Sequence, residues 1–461
     1  MATQNIDVGE VLEREKLGRF HLLTVALCFF VVVVDGLDFG AGNVAAPAII
    51  SAFHAERSQM GLVFGWMYSG ILLGSIILGA VGDRFGRKVG ALSGVLAYTL
   101  PAALTPFADS MTSLMVLRFV TGLGIGGVIP NTIALATENA PKRYRASLVV
   151  VVFLGYALGS VLSAQIAARF IPTHGWGIVF VTAGVAGLVL AGVLAVFLPE
   201  SIRYLALHAP QSAALRRQMR LLAPSAPAGP EVRYVLRQEM KSGRFSLRLL
   251  FTAELKRVTP LLWLAYFAES LTFMTLLSWL PVLLVTAGLS QTDAAFTVSY
   301  GSTGGIIVML LLARPLDRWG PMATLVSGSV TIAALLALTL SGVSVAIIMT
   351  MAAVALMCGT GTHNSLNGTV GLFYPTAIRA NGVGFATGMG RIASIIGPTL
   401  TGFLLSAKLP LATMLEIMAA PYVVVIVTCF ALGLIYKRRF APTAPLSAEA
   451  STSVIATGGS A

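Results

Sequence analysis

The chain has 461 residues, 56% of them hydrophobic and only 11% charged, with a mean hydropathy of +0.85, whereas a soluble domain is usually about a quarter charged. This composition excludes an ordinary soluble domain and describes a membrane protein. The formal net charge of +12 would suit a nucleic-acid partner, but all but five of the 31 Lys and Arg residues fall on one side of the expected membrane helices, so no nucleic acid is expected.

Twelve apolar segments, each near the roughly 20 residues that cross a bilayer as a helix, are expected at 20–50, 59–80, 89–107, 113–137, 146–168, 176–198, 258–286, 295–313, 322–340, 344–370, 380–406 and 410–436. The first is too long, and too clearly followed by others, to be a cleaved signal peptide. With both ends placed in the cytoplasm, only Arg57, Arg169 and Lys408 fall outside, and only Arg118 and Arg391 lie within helices, as the positive-inside rule requires. The expected plan is an N-terminal arm (1–19), a six-helix bundle (20–198), a cytoplasmic linker rich in Arg, Ala and Pro (199–257), a second six-helix bundle (258–436) and a small, polar tail (437–461) expected to be disordered.

In the first segment, VVVVDGLDFG at 31–40 sets two carboxyls in an apolar run, where an ionised one costs a few kcal/mol on insertion scales. Asp35 and Asp38 are spaced i, i+3 and share a helix face. One arginine does not neutralise two adjacent acids, so one of them should carry and release a proton; which one is left open, and the alternative is a structural ion pair with Arg118. Arg118 precedes Gly122 and Gly126 by four and eight residues, forming one stripe whose glycines pack closely on a neighbouring helix and turn the arginine toward protein. It either balances Asp35 or Asp38 or serves substrate or gate. Glu138, at the end of the same segment, is an interfacial acid or a further proton carrier.

In the second half, His363, Asn364 and Asn367 form a patch too polar for lipid and suited to a cavity wall. Arg391 sits deep in its segment with no acid nearby in sequence, and a guanidinium clamps a carboxylate through two parallel bonds. Phe39, Tyr156 and Trp279 either stack on a ring or simply pack. Cys28, Cys358 and Cys429 lie in apolar segments without metal spacing, so neither metal nor cofactor is expected. There is no GxxxxGK[ST] loop for ATP coupling, and no nucleophile, base or metal constellation of an enzyme.

At an offset of 234 residues Asp35 aligns with Glu269, Pro47 with Pro281, Asp83-Arg84 with Asp317-Arg318, Gly86 with Gly320, Pro141 with Pro375 and Arg145-Ala146 with Arg379-Ala380. The halves read as copies. Parallel six-helix repeats place a substrate site between them near the membrane midplane, which brings Glu269 into the proton-coupling set with Asp35. Asp83, Arg84, Arg87 and Lys88, with Asp317 and Arg318, fall in short inner loops and read as latches of an inner gate.

GAVGDRFGRK at 79–88 resembles the loop 2/3 signature of the major facilitator superfamily, and RPLDRWG at 314–320 its weaker second copy. RFVTGLGIGG at 118–127 resembles the fourth-helix signature, and PESIRYL at 199–205 the motif closing helix six. The resemblance runs from about Phe20 to Arg439. DGLD at 35–38 resembles the first-helix motif of the aromatic acid:proton symporter branch, supported by IPNTIALATENAPKR (129–143), LSWLP (277–281) and FYPTAIRANGVGFATGMGRIASIIGP (373–398). The resemblance implies an all-α membrane protein with 12 transmembrane helices in two six-helix pseudo-symmetric halves. It implies import of a small aromatic carboxylate of the 4-hydroxybenzoate or benzoate type with protons, by alternating access, for aromatic catabolism. Its place would be the bacterial inner membrane, as a monomer with both termini cytoplasmic, and Asn131 joins the substrate-binding set. His363 and Asn364 stand where a Gln-containing stretch is usual, and Glu269 is an added acid. Alternatives within the superfamily are transport of another organic anion and proton-coupled export of a drug or metabolite.

Overall fold

The computed structural model describes residues 4–222, 232–236, 247–252, 255–340, 344–375 and 378–440. Twelve long helices dominate: α1 (Arg19–Val44), α2 (Arg57–Phe85), α3 (Arg87–Leu104), α4 (Met111–Glu138), α5 (Lys142–His174), α6 (Gly177–Phe197), α7 (Val258–Thr286), α8 (Gln291–Trp319), α9 (Ala323–Ala337), α10 (Val345–Phe373), α11 (Arg379–Ser406) and α12 (Leu411–Phe440). In lipid the backbone has no water to bond, so an apolar span closes its hydrogen bonds within itself as a helix. Large apolar side chains such as Ile76, Val189 and Leu311 stand exposed on the outside of the bundle, where lipid rather than water is their solvent.

Hydropathy marks only the apolar centre of a span, so several helices extend beyond the expected limits: α5 runs 142–174 rather than 146–168, and α8 291–319 rather than 295–313. The first span is broken at Ala45, where Pro47 starts a separate short helix, Ala46–Ala52, because proline lacks the N–H that continuation needs. Helix α9 is only 15 residues long and is entered through the tight turn Gly320–Met322. Residues 437–440 continue α12, and the rest of the tail expected to be disordered lies outside the described residues.

Packing repeats between the halves. α1 packs on α5 as α7 does on α11; α2 packs on α4 as α8 does on α10; α3 packs on α4 and α6 as α9 does on α10 and α12. The offset of 234 residues is visible atom by atom. Arg145 Nε donates to Ala140 O at 3.0 Å, and Arg379 Nε to Tyr374 O at 3.1 Å, each securing the turn before its helix. Gly86 and Gly320 both take positive φ, 109° and 59°, which accounts for glycine in both copies of the loop. The halves meet through α2 against α11 and α5 against α8.

The linker is more structured than its polar composition suggests. It carries helices Ile202–His208 and Ala213–Leu222, and a strand, Val232–Val235, that pairs in parallel with Gln4–Asp7 of the N-terminal arm. Leu215, Met219 and Leu222, on one face of the second helix, join Val8, Leu12, Ile202, Ala206 and Tyr234 in a small core of their own. This cap sits at the end of the bundle that carries both termini, here the terminal face; the opposite end is the far face.

Candidate functional site

In the first half, Asp35 and Asp38 are both sealed at 0% exposure. Arg118 Nη1 lies 3.3 Å from Asp38 Oδ2, its Nη2 donates to Thr105 Oγ1 at 2.6 Å, and its Cζ stands 4.6 Å from the Phe180 ring centroid. The arginine is therefore committed to Asp38, and both oxygens of Asp35 lack a hydrogen-bond partner among the described residues. Tyr98 and Tyr156 stand within electrostatic reach of Asp35. Gly36, between the acids, lets α1 meet the backbone of α5: a Cβ there would lie 2.2 Å from Tyr156 O. The expected glycine stripe on α4 packs on α2, since a Cβ on Gly122 or Gly126 would strike Met67 O or Ile71 O.

In the second half, Glu269 is also fully enclosed, and His363 Nδ1 lies 3.0 Å from its Oε2, with the histidine side chain 26% exposed. Phe273 stacks on the imidazole at 5.0 Å between centroids, and Ser270 Oγ donates to the same carboxylate oxygen at 3.1 Å. Asn364 donates to Thr360 O, and Asn367 accepts from Tyr266 OH at 2.8 Å. Arg391 reaches out of α11 to Ile71 O of α2 at 3.4 Å, a long contact for a guanidinium that carries further donors.

Hydrogen bonds drawn between the halves run from mid-helix to the far face. They join Arg57 to Thr286, Ser58 to Ser406, Tyr68 to Ser278, Gln165 to Ser299 and Thr292 to Ala168, alongside those of Arg391 and Thr399. There α2 and α11 touch through Gly61 and Gly402. Among the described residues no such bond or ion pair joins the halves at the terminal face, so the bonded part of the seam lies in its far half.

The terminal face holds a network within the first half. Arg87 pairs with Asp83 at 2.6 Å and lies 3.6 Å from Glu138. Glu138 also accepts from Ser201, Glu200 accepts from the backbone of Lys88 at 3.1 Å, and Lys88 Nζ donates to Ala195 O. Tyr204 OH donates to Arg84 O. Glu138 thus joins the Asp83–Lys88 set, away from Asp35. Asp317 and Arg318 are exposed in the last turn of α8, just before the second copy of the loop, rather than in the loop where the sequence put them. Asn131 lies in a helix seam, donating to Leu78 O at 3.0 Å and Gly127 O at 2.9 Å. Trp279 is fully buried, with its indole N–H on Pro398 O and its ring edge-on to Phe64, while Phe39 packs between Tyr68 and Tyr156. Among these three aromatics Tyr156 alone is not fully enclosed.

Residues not singled out in the sequence complete both clusters. Tyr266 and Phe273 stand three before and four after Glu269, on its helix face, a spacing that signals them. Tyr98, Thr105 and Phe180 come to Asp35, Asp38 and Arg118 from distant segments, with no sequence signal. Glu200 was visible only as part of PESIRYL.

Two pseudo-symmetric six-helix halves, with buried charge in each and a seam bonded in its far half, define a multi-pass membrane transporter. The chain belongs to the Major Facilitator Superfamily, whose pattern matches residues 28–398; this is a family of transporters rather than enzymes. It is 32% identical to the 4-hydroxybenzoate transporter PcaK of Pseudomonas putida, over 86% of this chain and 88% of that one. It is 34% identical to the 3-(3-hydroxy-phenyl)propionate transporter of Escherichia coli strain K12, over 84% and 87%. Its fold is similar to the inward-facing, unoccupied crystal structure of a bacterial homologue of the human lysosomal transporter Spinster, with a TM-score of 0.68, 17% identity, and coverage of 92% of this chain and 98% of that one.

Proposed function

We propose that this protein imports a small aromatic carboxylate together with protons, by alternating access of its two halves. The reading of the substrate rests on the relatives, which are named for 4-hydroxybenzoate and 3-(3-hydroxy-phenyl)propionate. The reading of the coupling rests on one observation: Asp35 is buried with neither oxygen bonded, while the nearby arginine is taken by Asp38. An ionised group so placed is costly, and a carboxyl that alternates between protonated and ionised forms as the seam changes sides is what coupling requires. Arg391, with donors to spare beside the seam, is the proposed anion clamp. Tyr156, His363, Asn364 and Asn367 are proposed wall residues. Lys and Arg enrichment supports the assignment of the terminal face to the cytoplasm of a bacterial inner membrane. The Asp83–Glu138 network is then the proposed inner-gate machinery.

The test is uptake of radiolabelled 4-hydroxybenzoate into proteoliposomes under an imposed pH gradient, inside alkaline. Wild-type protein should accumulate the acid, and Asp35→Asn should abolish accumulation while leaving exchange of internal for external acid. Accumulation that ignores the gradient would refute proton coupling, and absence of both uptake and exchange for aromatic acids would refute the substrate class.

A further inference from the structure

The second-half cluster is not explained by coupling through Asp35 alone. His363 offers Nδ1 to Glu269, and its ring is held flat against Phe273. Among the described residues its other nitrogen, Nε2, has no partner and is not sealed off, whereas Glu269 Oε1 is buried and unpartnered. An imidazole held this way by a carboxylate has its tautomer and orientation fixed, with Nε2 directed away from Glu269.

The surroundings supply few competing charges. On α7 the neighbours are Tyr266, Ser270 and Phe273, and on α10 Cys358, Asn364 and Asn367. From α12, Tyr422 and Cys429 stand within electrostatic reach of Glu269. On α11 Gly390 presses on Ser270 and places Arg391 one residue along. The α9 helix carries no titratable side chain, and Ser327 on it bonds Thr362. The titratable residues of α8, Asp293, Tyr300, Arg314, Asp317 and Arg318, sit toward its ends or on its outer surface. Asp35 and Asp38 on α1 are enclosed in the other half.

We propose that Glu269 and His363 form a carboxylate subsite in which the ring donates through Nδ1 to Glu269 and through Nε2 to the carboxylate of the transported acid. Both nitrogens donate only when the imidazole is protonated. Docking of the anion therefore draws one proton from solvent onto His363, giving a chain of carboxylate, imidazolium and substrate carboxylate; departure of the anion lets that proton go. The subsite is a second proton site, separate from Asp35. This deepens the aromatic-acid reading and rests on it.

The experiment is calorimetric titration of the full-length protein in nanodiscs with 4-hydroxybenzoate near pH 7, in buffers of different ionisation enthalpy, which counts protons taken up per acid bound. The background is Asp35→Asn, so that the first-half carboxyl is silent. Uptake approaching one proton should persist in that background. It should fall toward zero in Asp35→Asn/His363→Gln and in Asp35→Asn/Glu269→Gln, with affinity weakened at least about tenfold, and 4-hydroxybenzamide should draw no proton. A readout independent of variants is the ring nitrogen NMR of labelled histidine in the wild type, where one of the five histidines should become imidazolium on adding the acid. Unchanged proton uptake without His363, or no imidazolium signal on binding, overturns the subsite while leaving the transport reading standing. Failure of the wild type to bind any aromatic acid overturns both.

Discussion

Arg118 offers a test of how the first half balances its charges. Replacing it with Met keeps a flexible apolar chain against Phe180 but removes the 3.3 Å contact with Asp38 and the 2.6 Å bond to Thr105. Asp38 is then fully enclosed with no counter-charge, and breaking a buried pair in this way costs about 3–5 kcal/mol, roughly a hundredfold to a few thousandfold in the folded fraction. Asp38→Asn alone leaves the guanidinium stranded and should also destabilise. The double variant Asp38→Asn/Arg118→Met removes both charges and should return to within about 1–2 kcal/mol of the wild type. The chain supplies its own reporters, because Cys28, Cys358 and Cys429 are free and buried, so a thiol-reactive fluorophore follows thermal unfolding without engineering. Asp35→Asn makes the contrast: it removes an unbonded buried acid and should leave the midpoint unchanged or raise it. Losses that simply add in the double variant would refute the pairing.

Three further outcomes follow from the geometry. Arg391→Lys keeps the charge but not the planar fork, so equilibrium binding should weaken markedly for 4-hydroxybenzoate and little for its amide; equal losses would point to a structural arginine. Asn131→Ala removes two bonds within the first half and should cost about 1–3 kcal/mol in unfolding while substrate affinity, measured by titration, stays unchanged. Gly61→Leu cannot keep α2 against Gly402, since even a Cβ would lie 2.9 Å from its Cα. Paired spin labels across the far face should therefore report a wider separation, and an unaltered distance distribution would show that this seam does not hold the far end shut.

The twelve helices were legible because lipid demands long apolar spans, and the repeat was legible because it preserves residues such as Pro141 and Pro375 at one offset. The ends of the helices were less so, since α5 and α8 continue past the apolar stretch that announces them. At the site, burial of charge singled out Asp35, Asp38, Arg118 and Glu269. Which acid Arg118 serves depended on how α1 and α4 are rotated against each other, and no local pattern encodes that. Asn131 looks the same in sequence whether it faces substrate or seals a helix seam. The linker helix Ala213–Leu222 was hidden because its apolar face is only Leu215, Met219 and Leu222, a stripe diluted by arginines and completed by residues some 200 positions earlier.

The parallel pairing of Gln4–Asp7 with Val232–Val235 has a consequence for synthesis. The two strands are separated by about 225 residues, so at ribosomal speeds of ~5–20 residues per second the arm waits roughly 10–45 s for its partner. For that interval the first strand and Val8 and Leu12 stay uncovered while six helices enter the membrane ahead of the linker. Closure of the cap thus marks, in time, the point at which the first half has been delivered and the second is about to begin.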